Sequence, residues 1–549
     1  MLPSIEFEPV TQNHSWIWQN RVRQDNPEDA TLLTTLRGDD IIARHSIIQR
    51  EQNMKILKLL LLLQLAFVYG CATNPATGES DFMTMSEQEE LEIGKQAHQQ
   101  ILQQYSVYND LELQNYVQYV GNKVAKNSHR PELDYTFTVL DSPEVNAFAL
   151  PGGYIYITRG LMAYLNTEAE LAAVLGHEVG HVTARHAARQ QSASQLTGLG
   201  AAIGTIIGEA FIPGISSVGG QQLVGLAGTA LLRGYGRDHE LEADRLGAEY
   251  LAKSGYNPDA MLDVIGVLKN QELFELRLAR AQGRQPRVYH GVFSTHPSSD
   301  TRLQEVVGYA HNIRDAASGS TFIGRTEYLQ RVDGMVYGES TDNGLVRGRD
   351  FYHGNMGFSM RFPERWPIQN LPDRLVASAP GGLAMIQVMV QPADPRLSPK
   401  DYMNQRMGID TSNRNGQALT INGLPAYATT AVLDTNAGRR LARVSVIYLG
   451  NMAFIIAGHT RDANGLNRYD NPFLSTIRSF RPLSNQERQV ANLTNRIKLV
   501  RARDGENFDN LGSASPLDKF PEEQLRLIND QYPSGDIESG QLFKVIQSN

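Results

Sequence analysis

The sequence contains almost no cysteine and carries no excess of positive charge. Cys71 is the only cysteine in 549 residues, so a disulfide cannot form within the chain. Lysine and arginine total 51 against 59 aspartate and glutamate residues, which gives a formal net charge of −8 at pH 7. The sequence also shows no basic stripe, and we therefore expect no nucleic acid among the partners.

The N-terminal part lacks an apolar run long enough to cross a membrane. The apolar stretch Leu59–Gly70 has only 12 residues, whereas a transmembrane helix needs about 20. Lys55 and Lys58 precede it, which is typical of a secretory signal peptide. We therefore interpret residues 54–70 as a signal peptide and the polar residues 1–53 as an extension upstream of the true start codon. A cytosolic protein with a buried N-terminal helix is the alternative.

The end of this stretch, Val68-Tyr-Gly-Cys71, resembles a bacterial lipobox, in which the cysteine receives a lipid anchor. Such an anchor would also account for a single thiol in an exported chain. Ala72, rather than aspartate, follows the cysteine, and by the same resemblance this favours the outer membrane. We therefore expect a lipoprotein anchored through Cys71 on the periplasmic side of the outer membrane.

Two histidines four residues apart stand out in the middle of the chain. His177 and His181 flank Glu178 in a His-Glu-x-x-His string, and residues at i and i+4 of a helix lie on one face. Both imidazoles can then bind one metal ion while Glu178 polarises a metal-bound water. Thr167 and Glu170 form a capping box that predicts where the helix begins. The alternative is a helix with two unrelated surface histidines.

Gly176 and Gly180 lie within the same predicted helix. Each weakens a helix by about 1 kcal/mol relative to alanine. We therefore expect something to pass close to the helix backbone, and metal binding would offset the cost of the two glycines.

A catalytic zinc site needs three protein ligands and one position for water, so the third ligand must come from another segment. Residues 236–247 predict the start of a second helix, on which Glu240 and Asp244 lie one turn apart. Glu240 can ligate the metal while Asp244 accepts the N–H of a ligating histidine. Glu242 points to a different face and is the weaker candidate. A solvated acidic helix is the alternative.

Four motifs in this order resemble the HtpX/BepA-type zinc metallopeptidases, the family that includes the CAAX prenyl-protein protease. Besides the two helices, they are the strand and turn at Asn146–Gly160 and the His-Pro…Arg segment at Thr295–Arg302. The resemblance covers about residues 72–312. It implies one zinc ion per chain, with Glu178 as general base. The zinc ligands that it implies are His177, His181 and Glu240.

Two strands are predicted before the metal-binding helix. Apolar residues alternate with polar ones over Leu133–Val139, which indicates a half-buried strand. A second strand, Tyr154–Thr158, follows the turn at residues 151–153. In zinc peptidases of this shape such a strand borders the cleft, where an extended substrate can add to its free edge. Its apolar Ile155 and Ile157 fit an interior strand equally well.

Further histidines are harder to assign. His296 precedes a proline, and it could donate to the developing oxyanion or close the open metal position, while Arg302 could brace either arrangement. A structural role is the alternative for both. We expect His186 and His239 to be structural or to lie behind the metal ligands.

The insertion Leu196–Leu232 separates the two metal-binding helices and is rich in small and apolar residues. Glu209 and Pro213 interrupt it, and neither half reaches about 20 clean apolar residues. We interpret it as a helical hairpin that covers the cleft, and membrane insertion is the alternative.

Two further domains are predicted beyond residue 312. Residues 321–485 indicate a β-rich α/β domain of unknown role, with a hairpin around Gly450-Asn451, and Phe358–Trp366 faintly resembles PsbP-like domains. Residues 490–549 resemble a LysM module, with a strand, two short helices and a strand. LysM modules bind cell-wall glycan, so peptidoglycan is an expected partner that the divergence of this copy leaves open.

These features predict an α+β protein. A mainly helical metallopeptidase domain of the gluzincin type with a small sheet occupies residues 71–312, and the two C-terminal domains follow it. The expected function is zinc-dependent endopeptidase action on misfolded or maturing envelope proteins. A chaperone-like or wall-binding lipoprotein is the alternative, although such a scaffold needs no base such as Glu178 beside its metal ligands.

Overall fold

The computed structural model describes residues 71–196, 236–282, 322–371, 373–412, 416–435 and 438–549. The predictions for residues 1–70, for the insertion beyond Leu196, and for His296 and Arg302 fall outside these residues. Within them, no helix has both the length and the apolar character that crossing a bilayer requires.

Helices dominate the described residues before 283. In chain order the elements are β1 Cys71–Thr73, β2 Ser80–Phe82, α1 Glu87–Gln104, α2 Leu111–Ala125, β3 Thr136–Leu140, β4 Ala147–Leu150, β5 Tyr154–Thr158, α3 Arg159–Met162, α4 Glu168–Thr183, α5 His186–Leu196, α6 Arg237–Lys253 and α7 Ala260–Gln282. Local caps explain several helix starts, because the side chains of Ser86, Asp110 and Thr167 each accept a backbone N–H from the first turn. The two predicted metal-binding helices are α4 and α6.

The small sheet has the strand order β3-β5-β4, with β5 parallel to β3 and antiparallel to β4. Strand β5 is therefore the interior strand, and the interpretation of Tyr154–Thr158 as the edge of the cleft is wrong. The predicted half-buried strand is also corrected, because β3 begins at Thr136 and four of its five residues are buried. Of the three strands, β4 is the one beside helix α4 with an outer edge that no other described strand pairs.

The described residues after 321 are rich in strands. The elements are α8 Arg325–Val332, β6 Val336–Tyr337, β7 Leu345–Arg347, β8 Asp350–His353, β9 Phe358–Arg361, β10 Ile368–Leu371, β11 Arg374–Ser378, β12 Ala384–Pro392, α9 Pro399–Gln405, β13 Gln417–Ile421, β14 Leu424–Thr435, β15 Gly438–Leu449, β16 Met452–Thr460, α10 Leu466–Ser479, β17 Arg481–Pro482, α11 Asn485–Ala491, β18 Asn495–Arg501, α12 Phe508–Ala514, α13 Pro521–Ile528 and β19 Leu542–Ser548.

These strands form three antiparallel sheets. The largest has seven strands in the order β10-β11-β12-β16-β15-β14-β13, and smaller sheets have the orders β17-β9-β8-β7 and β19-β18-β6. The predicted hairpin around Gly450-Asn451 is confirmed, since β15 and β16 pair across that two-residue turn. Helices α9 and α10 pack on the large sheet with separate hydrophobic clusters.

The C-terminal segment shows the predicted order of strand, two helices and strand, although its assignment as a LysM module remains a prediction. Its apolar side chains, such as Phe508 and Phe543, share one hydrophobic cluster with Leu171 and Leu175 of α4. The link is also polar, because the buried amino group of Lys544 donates hydrogen bonds to two carbonyls just before α4. The last strand of the chain therefore helps to hold the start of the central helix.

Candidate metal centre

Helices α4 and α6 approach each other at backbone distance. A Cβ atom placed on Gly180 would come within 2.9 Å of the Ala243 carbonyl oxygen, and one on Gly247 would come within 3.0 Å of the His177 backbone nitrogen. Real Cβ atoms rarely come this close to backbone, so these positions favour glycine. The predicted close approach at Gly180 is confirmed, and it brings the side chains of the two helices to a common centre.

Both ends of α4 are fixed by buried polar contacts. At its start, the Glu168 carboxylate accepts hydrogen bonds from the hydroxyls of Tyr116 and Tyr256 at 3.0 and 2.7 Å. Just beyond its end, Arg185 binds the buried Glu90 carboxylate at 2.8 Å. Such contacts limit how far the helix can shift along its axis.

The predicted capping box at the start of α4 is half realised. The Thr167 hydroxyl accepts the Glu170 backbone N–H at 3.0 Å. The Glu170 carboxylate accepts the backbone N–H of Asn166, one residue before the cap, at 2.7 Å. Burial raises the pKa of Glu170 to about 7.

Three buried side chains converge between the helices. The Nε2 atoms of His177 and His181 lie 3.0 Å apart, and the Glu240 carboxylate oxygens lie 3.6 and 3.5 Å from them. Ligand atoms about 2.0–2.2 Å from a tetrahedral zinc ion lie roughly 3.3–3.6 Å from one another. The two distances to Glu240 match this spacing, and the distance between the two Nε2 atoms is about 0.3 Å shorter. The three side chains, which are 7%, 2% and 1% exposed, therefore have the donor types that zinc binds and converge on one point.

The second nitrogen of His177 meets a carboxylate. Its Nδ1 lies 2.8 Å from Asp244 Oδ1, and Asp244 is fully buried. A carboxylate in this position holds the proton on Nδ1 and leaves Nε2 free to bind a metal. Asp244 therefore lies where the sequence predicted a partner for a ligating histidine.

The second nitrogen of His181 meets another imidazole. Its Nδ1 lies 2.7 Å from Nδ1 of His186, whose Nε2 lies 3.1 Å from a carboxylate oxygen of Glu242. The sequence predicts only that His186 is structural or lies behind the metal ligands, and it makes Glu242 the weaker candidate for the third ligand. Glu242 instead faces away from the cluster of His177, His181 and Glu240, as its position on the helix indicated.

Electrostatics around Glu242 keep it ionised. Burial raises the pKa of this carboxyl, but hydrogen bonds from His186 and Arg189 outweigh it and lower the pKa to about 2. Burial lowers the pKa of His186 and brings that of His239, which stacks on His186 with ring centroids 4.4 Å apart, to about 4. Burial therefore favours the neutral form of both imidazoles.

Glu178 lies beside the cluster of His177, His181 and Glu240, in a small apolar cavity. It is 2% exposed, and it lines a space of about 30 Å³ together with His177. The remaining walls are Ala147, Leu161, Ala173, Val174, Met261, Val264, Ile265 and Leu268. A carboxylate in such a setting can accept a proton without competition from bulk water.

Comparison with known proteins points to one family. The family model "Peptidase family M48" matches residues 112–310, little more than a third of the chain. The beta-barrel assembly-enhancing protease of Escherichia coli strain K12 is 31% identical over 256 residues, which cover 45% of this chain and 49% of that relative. The chain thus spans about half the length of this relative.

The chain is also similar to more distant proteins. The mitochondrial metalloendopeptidase OMA1 of Schizosaccharomyces pombe is 27% identical over 238 residues, covering 42% of this chain and 64% of that protein. A solved structure of cyanobacterial PsbP from Synechocystis sp. PCC 6803 aligns with 25% of this chain and 95% of its own, at 11% identity and a TM-score of 0.20. That score supports no statement about the C-terminal region. The family match, these peptidase relatives and the buried His-His-Glu cluster agree, and residues 112–310 are similar to the metallopeptidase domains of peptidase family M48.

Proposed function

We propose that this protein is a zinc-dependent endopeptidase of the bacterial cell envelope. The observation that carries the proposal is the convergence of two histidines and one glutamate from two helices, with a second glutamate in the adjoining cavity. His177, His181 and Glu240 would hold the zinc ion, and Glu178 would act as general base. A metal site that served stability alone would need no buried carboxylate beside its ligands.

When bound, zinc supplies Lewis acidity, which lowers the pKa of a coordinated water and polarises the scissile carbonyl. The residues of the chain do the rest. Glu178 accepts the proton of the attacking water and passes it to the departing amine, so the carboxylate ends each cycle ionised. Asp244 keeps His177 in the tautomer whose Nε2 is free to bind.

The substrate backbone can lie along strand β4. The Asn146 carbonyl accepts a hydrogen bond from the Thr158 N–H, so this pair bonds across the ladder. In an antiparallel pair such residues alternate with residues whose N–H and C=O groups point outward. Ala147 and Ala149 therefore present their backbone groups to the outer edge, where an extended peptide can add as a further strand. Ala147 also lines the cavity with Glu178, which places that edge beside the proposed base.

The substrates we propose are misfolded or maturing proteins of the envelope. One relative is named for enhancing the assembly of β-barrels, and bacterial transmembrane β-barrels are outer-membrane proteins. A peptide that adds to an edge strand must be extended, which favours unfolded chains over folded ones. A lipid anchor on Cys71 would hold the enzyme on the periplasmic side of the outer membrane, and peptidoglycan remains the candidate ligand of residues 490–549.

The test measures bound zinc and the cleavage of an unfolded protein, with and without a chelator. The wild-type chain should contain one zinc ion and lose activity on chelation. Glu240→Ala should lose both zinc and activity, whereas Glu249→Ala, a carboxylate on the same helix that binds Lys253, should keep both. Full zinc content in Glu240→Ala would show that the third ligand is misassigned. Zinc binding without cleavage would favour the chaperone-like alternative.

A further inference from the structure

The two histidines of the metal centre differ in what lies behind them. Nδ1 of His177 faces the Asp244 carboxylate directly, whereas Nδ1 of His181 faces Nδ1 of His186 at 2.7 Å. An imidazole can donate or accept at Nδ1, so this second contact does not by itself select a tautomer. Whatever fixes the proton on His186 therefore decides which nitrogen of His181 is free.

Glu242 is the group that can fix that proton. Its Oε2 lies 3.1 Å from Nε2 of His186, and a carboxylate only accepts hydrogen bonds when it is ionised. Nε2 of His186 must then donate, which leaves Nδ1 of the same neutral ring as an acceptor. His181 must in turn donate from its Nδ1, which leaves its Nε2, the nitrogen nearest to His177 and Glu240, available to bind a metal.

We propose that Glu242 and His186 form a relay that sets the tautomer of His181, and that Asn74 and Arg189 hold the far end of the relay in place. The proposal rests on the metal-binding function proposed above. Neither Glu242 nor His186 would touch the metal, so both are positioning residues. The relay is the counterpart, for His181, of the direct contact that Asp244 makes to His177.

The far end of the relay is built from separate parts of the chain. Arg189 donates to Glu242 at 2.7 Å and also binds Asp81 at 3.2 Å. Asn74, which is 1% exposed, donates one amide hydrogen to Glu242 at 3.2 Å and the other to Asp81 at 3.0 Å. These contacts leave the Glu242 carboxylate little freedom to rotate away from His186.

Asn74 also ties the hairpin formed by the antiparallel strands β1 and β2 to the metal centre. It follows β1 directly, and 168 residues separate it from Glu242 in sequence. The segment that begins at Cys71 therefore helps to order a carboxylate two imidazoles away from the proposed zinc. A variant of this hairpin is expected to change metal affinity without altering any ligand.

Loss of the carboxylate should release the relay. Without an acceptor at Nε2, His186 can carry its proton on Nδ1 and donate a hydrogen bond to Nδ1 of His181. His181 must then carry its own proton on Nε2, the nitrogen that faces the other two ligands, and this tautomer cannot bind a metal.

The first measurement is zinc affinity by competition with a chelator. Glu242→Leu should bind zinc about 10–100-fold more weakly, the usual effect of removing the partner of a ligating histidine. Glu242→Gln keeps an oxygen that accepts the His186 N–H, so it should restore most of the affinity and remain within about threefold of wild type. Glu249→Leu is the matched control on the same helix and should bind as tightly as wild type.

The second measurement needs no zinc. Histidine-specific ¹⁵N labelling of the metal-free chain reports by NMR which ring nitrogen carries the proton, and a His181→Gln sample identifies the signal. Nδ1 of His181 should carry a proton in wild type and in Glu249→Leu, whether or not Nε2 also carries one, and should lack it in Glu242→Leu. If Glu242→Leu does not fold, His186→Phe replaces it, because it removes the ring nitrogen that accepts from His181 Nδ1 and should weaken zinc binding to the same degree.

The outcomes separate the two proposals. If wild type and Glu249→Leu bind no zinc, the proposed function fails, while the tautomers of the metal-free chain still decide the relay. If zinc binds but Glu242→Leu keeps wild-type affinity, or keeps the wild-type tautomer of His181, the relay is wrong. An equal loss of affinity in Glu242→Leu and Glu242→Gln would also overturn it, because the acceptor atom would then be irrelevant.

Discussion

Helix α4 and the seven-stranded sheet are both buried, but they bury different chemistry. All 16 residues of α4 are buried, and they include the titratable Glu168, Glu170, His177, Glu178 and His181. Strands β15 and β16 at the centre of the large sheet bury mainly apolar side chains, such as Val446 and Phe454. Burial of a titratable group destabilises the fold unless the group is paired, whereas burial of an apolar group stabilises it.

The difference separates function from stability. Titratable groups collected in one buried helix are typical of a site whose chemistry needs them, because packing alone would favour apolar residues. The sheet shows the opposite arrangement, with its two faces covered by the apolar clusters beneath α9 and α10. We therefore expect substitutions in α4 to change chemistry more than stability, and substitutions in the sheet to do the reverse.

The largest effect is expected for Glu178→Gln. The amide keeps the shape of the side chain but cannot accept the proton of the attacking water, so cleavage of an unfolded protein should slow by about 10²–10⁴-fold. Zinc content and thermal unfolding should stay near the wild-type values, because Glu178 is not among the converging ligands. Wild-type turnover in this variant would refute the assignment of the base and the comparison with it.

Phe454→Ala tests the other region. Phe454 is fully buried against Phe358 and Phe480, with ring centroids 4.7 Å from each. Its truncation should lower the free energy of unfolding by about 3–5 kcal/mol. Denaturant titration measures the loss, and the zinc affinity of the folded fraction should not change. A weakened zinc site would mean that the two regions are not separable in this way.

Lys544→Met tests the link between the C-terminal segment and α4. The change leaves the carbonyls of Ala163 and Leu165 without the amino group that binds them at 2.7 and 2.8 Å. At roughly 1–2 kcal/mol for each unsatisfied carbonyl, the expected loss in unfolding free energy is about 2–4 kcal/mol. Lys498→Met is the control, since Lys498 is half exposed and its pair with Asp333 should contribute less than about 1 kcal/mol.

Lys544→Met should also alter the dependence of stability on pH. Burial lowers the pKa of Lys544 to about 7, so between about pH 7 and the ordinary lysine value near 10.4 the unfolded chain binds more protons than the folded one. The contribution of Lys544 to stability therefore rises with pH in this window, and the deficit of Lys544→Met should grow with it. A deficit that shrinks above pH 7 would contradict the lowered pKa.

The smallest effect is expected for Thr167→Ala. The Thr167 hydroxyl caps α4, and removal of an N-cap of this type costs about 1 kcal/mol. Activity should be nearly unchanged, because Tyr116 and Tyr256 still hold Glu168 in the first turn. A large loss of zinc affinity would show that the cap also positions the ligands.

Local features of this fold could be predicted from the sequence. Three of them depend only on residues within one or two helical turns. They are the start of α4 at Thr167, the spacing of His177 and His181, and the one-turn spacing of Glu240 and Asp244. The hairpin around Gly450-Asn451 is likewise local, because a two-residue turn fixes which strands pair.

Features that depend on distant segments could not be predicted in the same way. The sequence predicts Tyr154–Thr158 as a strand after a turn, but only its pairing with both neighbours shows that it is interior. His186 and Glu242 lie 56 residues apart, and Asn74, which contacts Glu242, precedes it by 168 residues. One local constraint could be read from the sequence: two histidines five residues apart cannot share a helix face, so a contact between His181 and His186 requires the helix to end between them.

The contact between Lys544 and the carbonyls before α4 also has a consequence for the order of folding. It joins Lys544 to Ala163 and Leu165, which precede it by 381 and 379 positions in sequence. Contacts of such separation form late, because the intervening chain must first be ordered. A chain that emerges from its N terminus has made both proposed metal-binding helices long before β19 exists. Until then α4 lacks this anchor, so the start of the central helix has its full set of buried contacts only when the last strand of the chain is in place.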